Sequence, residues 1–172
     1  SNVHRGAHAL AARATDAYES ARDKVAKFLN APSLNDIIFV RGATEAINLI
    51  AQSFGKFNIQ KDDEIIVSNL EHHANIVPWQ LLASQVGAKI KVIPVDDSGQ
   101  ILLNEFERLI TTRTKIVSIA HVSNALGTIV PIKEVTNIAH RYGVKVLIDG
   151  AQAISHIKVD VQDIDCDFYV FS

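Results

Sequence analysis

Short, continuous apolar runs alternate with longer segments of helical spacing along this chain, and that alternation restricts the fold more than any other feature. The runs Asp36–Val40 (DIIFV), Glu64–Ser68 (EIIVS), 89–95, 115–119, 145–149 and 167–171 read as strands. Stretches such as IIFV, IIV, IVSI and VLI do not alternate apolar with polar, as strands buried on both faces require. Between them lie helical segments at 44–54, 76–86, 103–110 and 132–142, the second and last followed by Gly87 and Gly143 at cap positions. Pro78 falls in a first turn, where its missing N–H does no harm. A long helix over 7–30 precedes them, with Leu10, Ala14, Ala17, Ala21, Val25 and Phe28 marking its inner face. The expected architecture is α/β, a mostly parallel sheet flanked by helices on both faces.

Composition narrows the function. Seventeen basic against nineteen acidic residues give a net charge of −2 in 172 residues, which supplies no basic field for nucleic acid. One cysteine excludes an internal disulfide, and no apolar run approaches the roughly 20 residues of a bilayer span. A soluble, cytoplasmic, single-domain piece is expected. The eight glycines never fall two apart, so no G-x-G-x-x-G loop exists, and a G-x-x-x-x-G-K-[ST] loop is also absent. The seven histidines lack metal-ligand spacing, and no metal site is expected. Cys166, between Asp165 and Asp167, reads as a small buried residue, since those charges disfavour a thiolate.

Ligands of open α/β sheets bind beyond the carboxyl ends of the strands, and polar residues collect at five such ends here. Gly42, Ala43 and Thr44 open a helix after the first run, suiting a phosphate, although a Thr at a helix start is usually just an N-cap. His72 and His73 follow the second run; His121, Ser123 and Asn124 follow the fourth. The His72 ring could stack on a flat ligand or be a hydrogen-bonded structural group. Asp149 ends an apolar strand, a costly position for a carboxylate unless a cation or a loop N–H pairs with it. Ser172 follows the last run.

The blocks RGATEAINLIAQSFG, EHHANIVPWQLLA, HVSNALGTIVPI, VLIDGAQAISHIKVDVQ and DCDFYVFS, in this order, resemble the SUF-type (group II) cysteine desulfurases. These are grouped with selenocysteine lyases in the class V aminotransferase branch of fold type I pyridoxal 5'-phosphate (PLP) enzymes. The resemblance runs from NVHRGAH to Ser172. It implies that Ala43, Thr44 and Ser172 contact the PLP phosphate, and that His72 lies on the pyridine face with a part in proton transfer. Asp149 would pair with the ring nitrogen. Asn124 and Gln152 would face the phenolic oxygen, and His4 and Asn124 the substrate. The implied reaction takes sulfur from L-cysteine, leaving alanine and an enzyme persulfide for a SUF acceptor protein and iron–sulfur cluster assembly. The family is homodimeric.

The family pattern continues Phe-Ser-Gly-His-Lys, and that lysine carries the cofactor. The resemblance therefore makes residues 1–172 the central part of the large PLP-binding domain, without an N-terminal segment, the Schiff-base lysine or the C-terminal small domain. Covalent attachment through the family lysine is then not expected, and this chain alone is expected to be inactive. Selenocysteine lyase, another class V PLP enzyme, or a non-catalytic folding or dimerisation piece are the alternative readings.

Overall fold

The computed structural model describes residues 9–172, and the sequence alternation appears in it as a five-stranded, wholly parallel sheet. In chain order the regular elements are α1 (Ala9–Leu29), α2 (Ala43–Ile50), α3 (Lys56–Asn58), β1 (Glu64–Ser68), α4 (Val77–Val86), β2 (Lys89–Ile93), α5 (Leu103–Leu109), β3 (Thr114–Ala120), α6 (Ile132–Arg141), β4 (Lys145–Asp149), α7 (Val161–Ile164) and β5 (Phe168–Val170). The strand order is β2-β1-β3-β4-β5. After β1 the chain moves outward to β2, and after β3 it moves the opposite way to β4. The crevice beyond β1 and β3 is thus the topological switch point of the sheet.

Two compact units are present. The described residues through Phe39, with Val159–Gln162, form one; Val40–Lys158 with Asp163–Ser172 form the other and contain the whole sheet. In the sheet unit, Ile65, Val67, Ile116, Leu147 and Val170 point to one face and pack with Ile47 of α2 and with Trp79 and Leu82 of α4. Ile66, Val117, Ile119, Val146 and Ile148 point to the other and are fully buried, so both faces are covered. Burial on both sides is what their continuous apolar sequence demands. Between 51 and 55 the α2 helix widens into a π turn, which carries Phe54 against Phe168 at 5.5 Å between ring centroids. Helix α4 has Pro78 at its start and closes on Gly87 (φ +77°), whose N–H reaches the Ala83 carbonyl at 2.8 Å.

Two sequence expectations fail in the α1 unit. Asp36–Val40 is not a strand: Leu34–Asp36 is a 3₁₀ turn capped by Ser33, and residues 37–40 run without ladder partners. Ile37 is buried, whereas Ile38 is 69% and Phe39 41% exposed. An apolar run becomes a strand only when a neighbour pairs with it, and no described segment does so here. The face of α1 is also one residue out of phase. Ala11, Ala26 and Leu29 are its buried residues, while Leu10 and Phe28 are 68% and 61% exposed. The two stripes lie about 100° apart on the helix, and the packing partner, not the helix, selects between them.

Candidate active site at the carboxyl edge of the sheet

The site is assembled from strand ends held in register. Ala120 of β3 stands beside Asp149 of β4, and Asp149 beside Val170 of β5. Asp149 is 7% exposed. Its Oδ1 accepts the Ala151 N–H at 3.0 Å, and no described side chain donates to the carboxylate. Burial raises its carboxyl above the ordinary value, against the Ala151 hydrogen bond and the attraction of His72, which lower it. An adjoining cation would relieve that cost.

His72 caps a 3₁₀ turn (His73–Asn75) just past β1, its Nδ1 accepting the Ala74 N–H at 3.2 Å. That bond fixes the imidazole on a short rigid turn and leaves the ring exposed. Helix α2 begins at Ala43 after Gly42, which adopts φ +133° and ψ 177°, a region essentially restricted to glycine. The N-cap residue, Gly42, has no side chain with which to cap the helix. The Ala43 N–H donates to Ser172 Oγ at 3.0 Å, so the Ser172 hydroxyl proton is free for another acceptor. A Cβ on Gly42 would lie 3.0 Å from that oxygen, hence a residue without one. Thr44 is exposed beside them, and Asn124 and Gln152 are exposed on the turns after β3 and β4. Ser123 Oγ shapes the first of those turns by accepting the Ala125 and Leu126 N–H groups.

The fold therefore gathers Ala43, Thr44, His72, Asn124, Asp149, Gln152 and Ser172 at the carboxyl ends of β1, β3, β4 and β5 and at the start of α2. His4 lies outside the described residues. The clefts lined by Ala26, Asn30 and Leu34 and by Tyr18, Arg22 and Phe39 belong to the α1 unit and contain none of these residues. Cys166 is a free, partly buried thiol pushed up to about 12 by burial, with the Asp167 and Asp165 charges adding to the rise. Among the described residues no cluster of His, Cys, Asp or Glu could hold a metal, and no helix is long and apolar enough to cross a membrane.

Glu71, His121, Gly150 and Tyr169 lie beside these site residues. Glu71, immediately before His72, accepts from Ser68 Oγ (2.5 Å) and the Ala120 N–H (3.0 Å) on Oε1, and from Asn75 Nδ2 (2.7 Å) on Oε2. Burial pushes this carboxyl up to about 7 against those hydrogen bonds, and the Asp149 charge adds to the rise. Behind Asp149, His121 Nδ1 and the Tyr169 hydroxyl are 2.9 Å apart, and burial lowers the His121 pKa. A Cβ on Gly150 would fall 2.3 Å from the Tyr169 ring, so the backbone after Asp149 runs directly against that ring. The sequence carried a signal for Glu71, a carboxylate just past a buried strand, the same signal that marked Asp149. The Gly150–Tyr169 contact joins distant residues and carried none.

The group implied by the resemblance can be tested against this donor set. A helix start whose Thr44 and Glu45 N–H groups meet no acceptor among the described residues, next to a spare Ser172 hydroxyl proton, suits a dianion, and a buried, underpaired carboxylate suits a cation. An anionic phosphate and a cationic ring nitrogen are the two charged ends of PLP, so the residues fit.

Comparison with known proteins agrees. The sequence model of the aminotransferase class-V family matches residues 1–172. A cysteine desulfurase of Synechococcus elongatus is 61% identical over 172 residues, all of this chain and 28% of that protein. One of Escherichia coli O7:K1 is 52% identical over 170 residues, 99% of this chain and 42% of that protein. The chain thus spans well under half the length of these relatives. Among solved structures, the cysteine desulfurase CsdA of Escherichia coli superposes with a TM-score of 0.90 at 44% identity, covering all of this chain and 43% of that one. The apo cysteine desulfurase of Thermococcus onnurineus gives 0.94 at 38% identity, covering 100% and 42%. A family match along all 172 residues, on a parallel sheet shared with these structures, makes this chain a member of the class V aminotransferase family.

Proposed function

We propose that this chain is the central, cofactor-holding part of the large domain of a PLP-dependent cysteine desulfurase. The observation that carries the reading is Asp149, a buried carboxylate at a strand end with one backbone hydrogen bond and an imidazole nearby. PLP, when bound, supplies an electron sink for chemistry at the substrate's α-carbon. Asp149 keeps a proton on the ring nitrogen, because a carboxylate beside it favours the cationic form. His72 covers the ring face and fixes its plane, and its Nε2 is the nitrogen left to exchange a proton with substrate. The N–H groups opening α2, the Thr44 hydroxyl and the Ser172 hydroxyl hold the phosphate. Asn124 and Gln152 donate to the phenolic oxygen, and the family resemblance assigns Asn124 and His4 to the substrate.

L-cysteine is the proposed substrate, sulfur passing to a SUF acceptor protein for iron–sulfur cluster assembly in the cytoplasm, with the whole protein working as a homodimer. Resemblance to relatives named cysteine desulfurase supports this. Covalent attachment of PLP is not assigned to Lys89, Lys115 or Lys145. These lysines stand at or next to the amino ends of their strands, and a five-residue strand spans about 17 Å. The test is alanine release from L-cysteine by the full-length protein. Asp149→Asn should lower turnover at least about a hundredfold, the order assigned to losing a preorganised electrostatic partner. Turnover within twofold of wild type would remove Asp149 from the ring-nitrogen role.

A further inference from the structure

Glu71 occupies the switch point itself. Its Oε1 receives one donor from β1 (Ser68) and one from the end of β3 (Ala120), and its Oε2 receives Asn75 from the turn that carries His72. One carboxyl thus ties both strands of the crevice to that turn. Asn75 cannot reverse its amide to accommodate a change, because its Oδ1 already accepts the Trp79 Nε1–H (3.1 Å) and the Ser118 hydroxyl (2.5 Å). Since the indole N–H is donor only, the Asn75 amide nitrogen must face Glu71. Ala120 is the register partner of Asp149, so the residue that anchors the His72 turn does so on the strand next to the carboxylate.

We propose that Glu71 is a positioning residue, its carboxyl holding the His72 turn in fixed register with Asp149 so that ring face and ring nitrogen are gripped together. The inference rests on the PLP reading above. Above about pH 7, where the Glu71 carboxyl is ionised, both its oxygens accept, whereas a glutamine at this position has one acceptor. Whichever way it turns, an NH₂ group faces either Asn75 or the Ala120 N–H, and the turn must shift.

The experiment is PLP titration of the full-length protein by equilibrium dialysis, together with the visible circular dichroism of the bound cofactor, which reports ring orientation. Glu71→Gln should weaken PLP binding about tenfold, equivalent to one lost hydrogen bond, and change the dichroic band. Ser68→Ala removes one of the three donors to Glu71, together with the acceptor of the Leu70 N–H, and should move both readouts less, in the same direction; it decides the matter if Glu71→Gln does not fold. Thr114→Val, which removes a 3.0 Å hydrogen bond to Glu64 at the opposite end of the sheet, should alter neither. Wild-type affinity and an unchanged band in both Glu71→Gln and Ser68→Ala would overturn the inference, as would an equal effect of Thr114→Val. Failure of the wild-type protein to bind PLP would instead refute the PLP reading, and the Glu71 inference with it.

Discussion

Replacing Gly150 by alanine should destabilise the sheet unit through a single contact. The new Cβ would lie 2.3 Å from Cε1, Cζ and Oη of Tyr169, whereas carbon atoms rest about 3.5–4.0 Å apart. The ring must therefore retreat by more than about 1 Å. Overpacking of this kind costs about 1–3 kcal/mol. Loss of the 2.9 Å bond between Tyr169 and His121 adds about 1 kcal/mol. The reduced freedom of the unfolded chain returns about 0.4–1 kcal/mol. The net expectation is about 1–4 kcal/mol. Urea denaturation followed by far-ultraviolet circular dichroism and by the fluorescence of Trp79, the single tryptophan, gives the number. With Tyr169→Leu as background, the atoms met by the Cβ are gone, and Gly150→Ala should be neutral or slightly stabilising. An equal cost in both backgrounds, within about 0.5 kcal/mol, would refute the steric argument.

Stability should also depend on pH through Glu71. Its folded carboxyl sits at about 7 against an ordinary 4.5, so the folded state keeps a proton that the unfolded state has released. This contribution is fully present below 4.5 and is lost as pH rises through 7, amounting to at most about 3 kcal/mol; the difference in unfolding free energy between wild type and Glu71→Gln, measured from pH 4 to 8, should carry that slope. Gly42→Ala forces a side chain into φ +133° and against Ser172, and should cost about 1–3 kcal/mol in urea while weakening phosphate and PLP binding in calorimetry.

What was legible in the sequence follows from which interactions are local and which are not. The inner strands β1, β3 and β4 announce themselves because burial on both faces forces unbroken apolar runs such as Ile65–Val67 and Val146–Ile148, whereas in the edge strand β2 (KIKVI) only Ile93 is buried. Helices α4 and α6 show their limits through Pro78, Gly87 and Gly143, whose backbone preferences act within one turn. The run at Asp36–Val40 has the same apolar content yet is no strand, since pairing depends on a neighbour elsewhere in the chain. The face of α1 was misplaced by one residue for the same reason, because Leu10–Phe28 and Ala11–Leu29 are adjacent stripes of similar polarity. At the site, Asp149 was conspicuous because a carboxylate ending an apolar strand conflicts with its surroundings. Glu71 creates the same conflict after β1, three strands earlier, where the histidines beside it draw the eye. The closeness of Gly150 to Tyr169 depends on the β4–β5 register, which no local pattern encodes.

The central claim is that Asp149 holds the proton on a pyridine ring nitrogen, and the nitrogen itself can be observed. PLP labelled with ¹⁵N in the ring, bound to the full-length protein, should show the chemical shift of a protonated nitrogen across neutral and mildly alkaline pH. In Asp149→Asn the shift should move to that of the unprotonated ring. An unprotonated nitrogen in the wild-type complex, or a protonated one that persists in Asp149→Asn, would contradict the account.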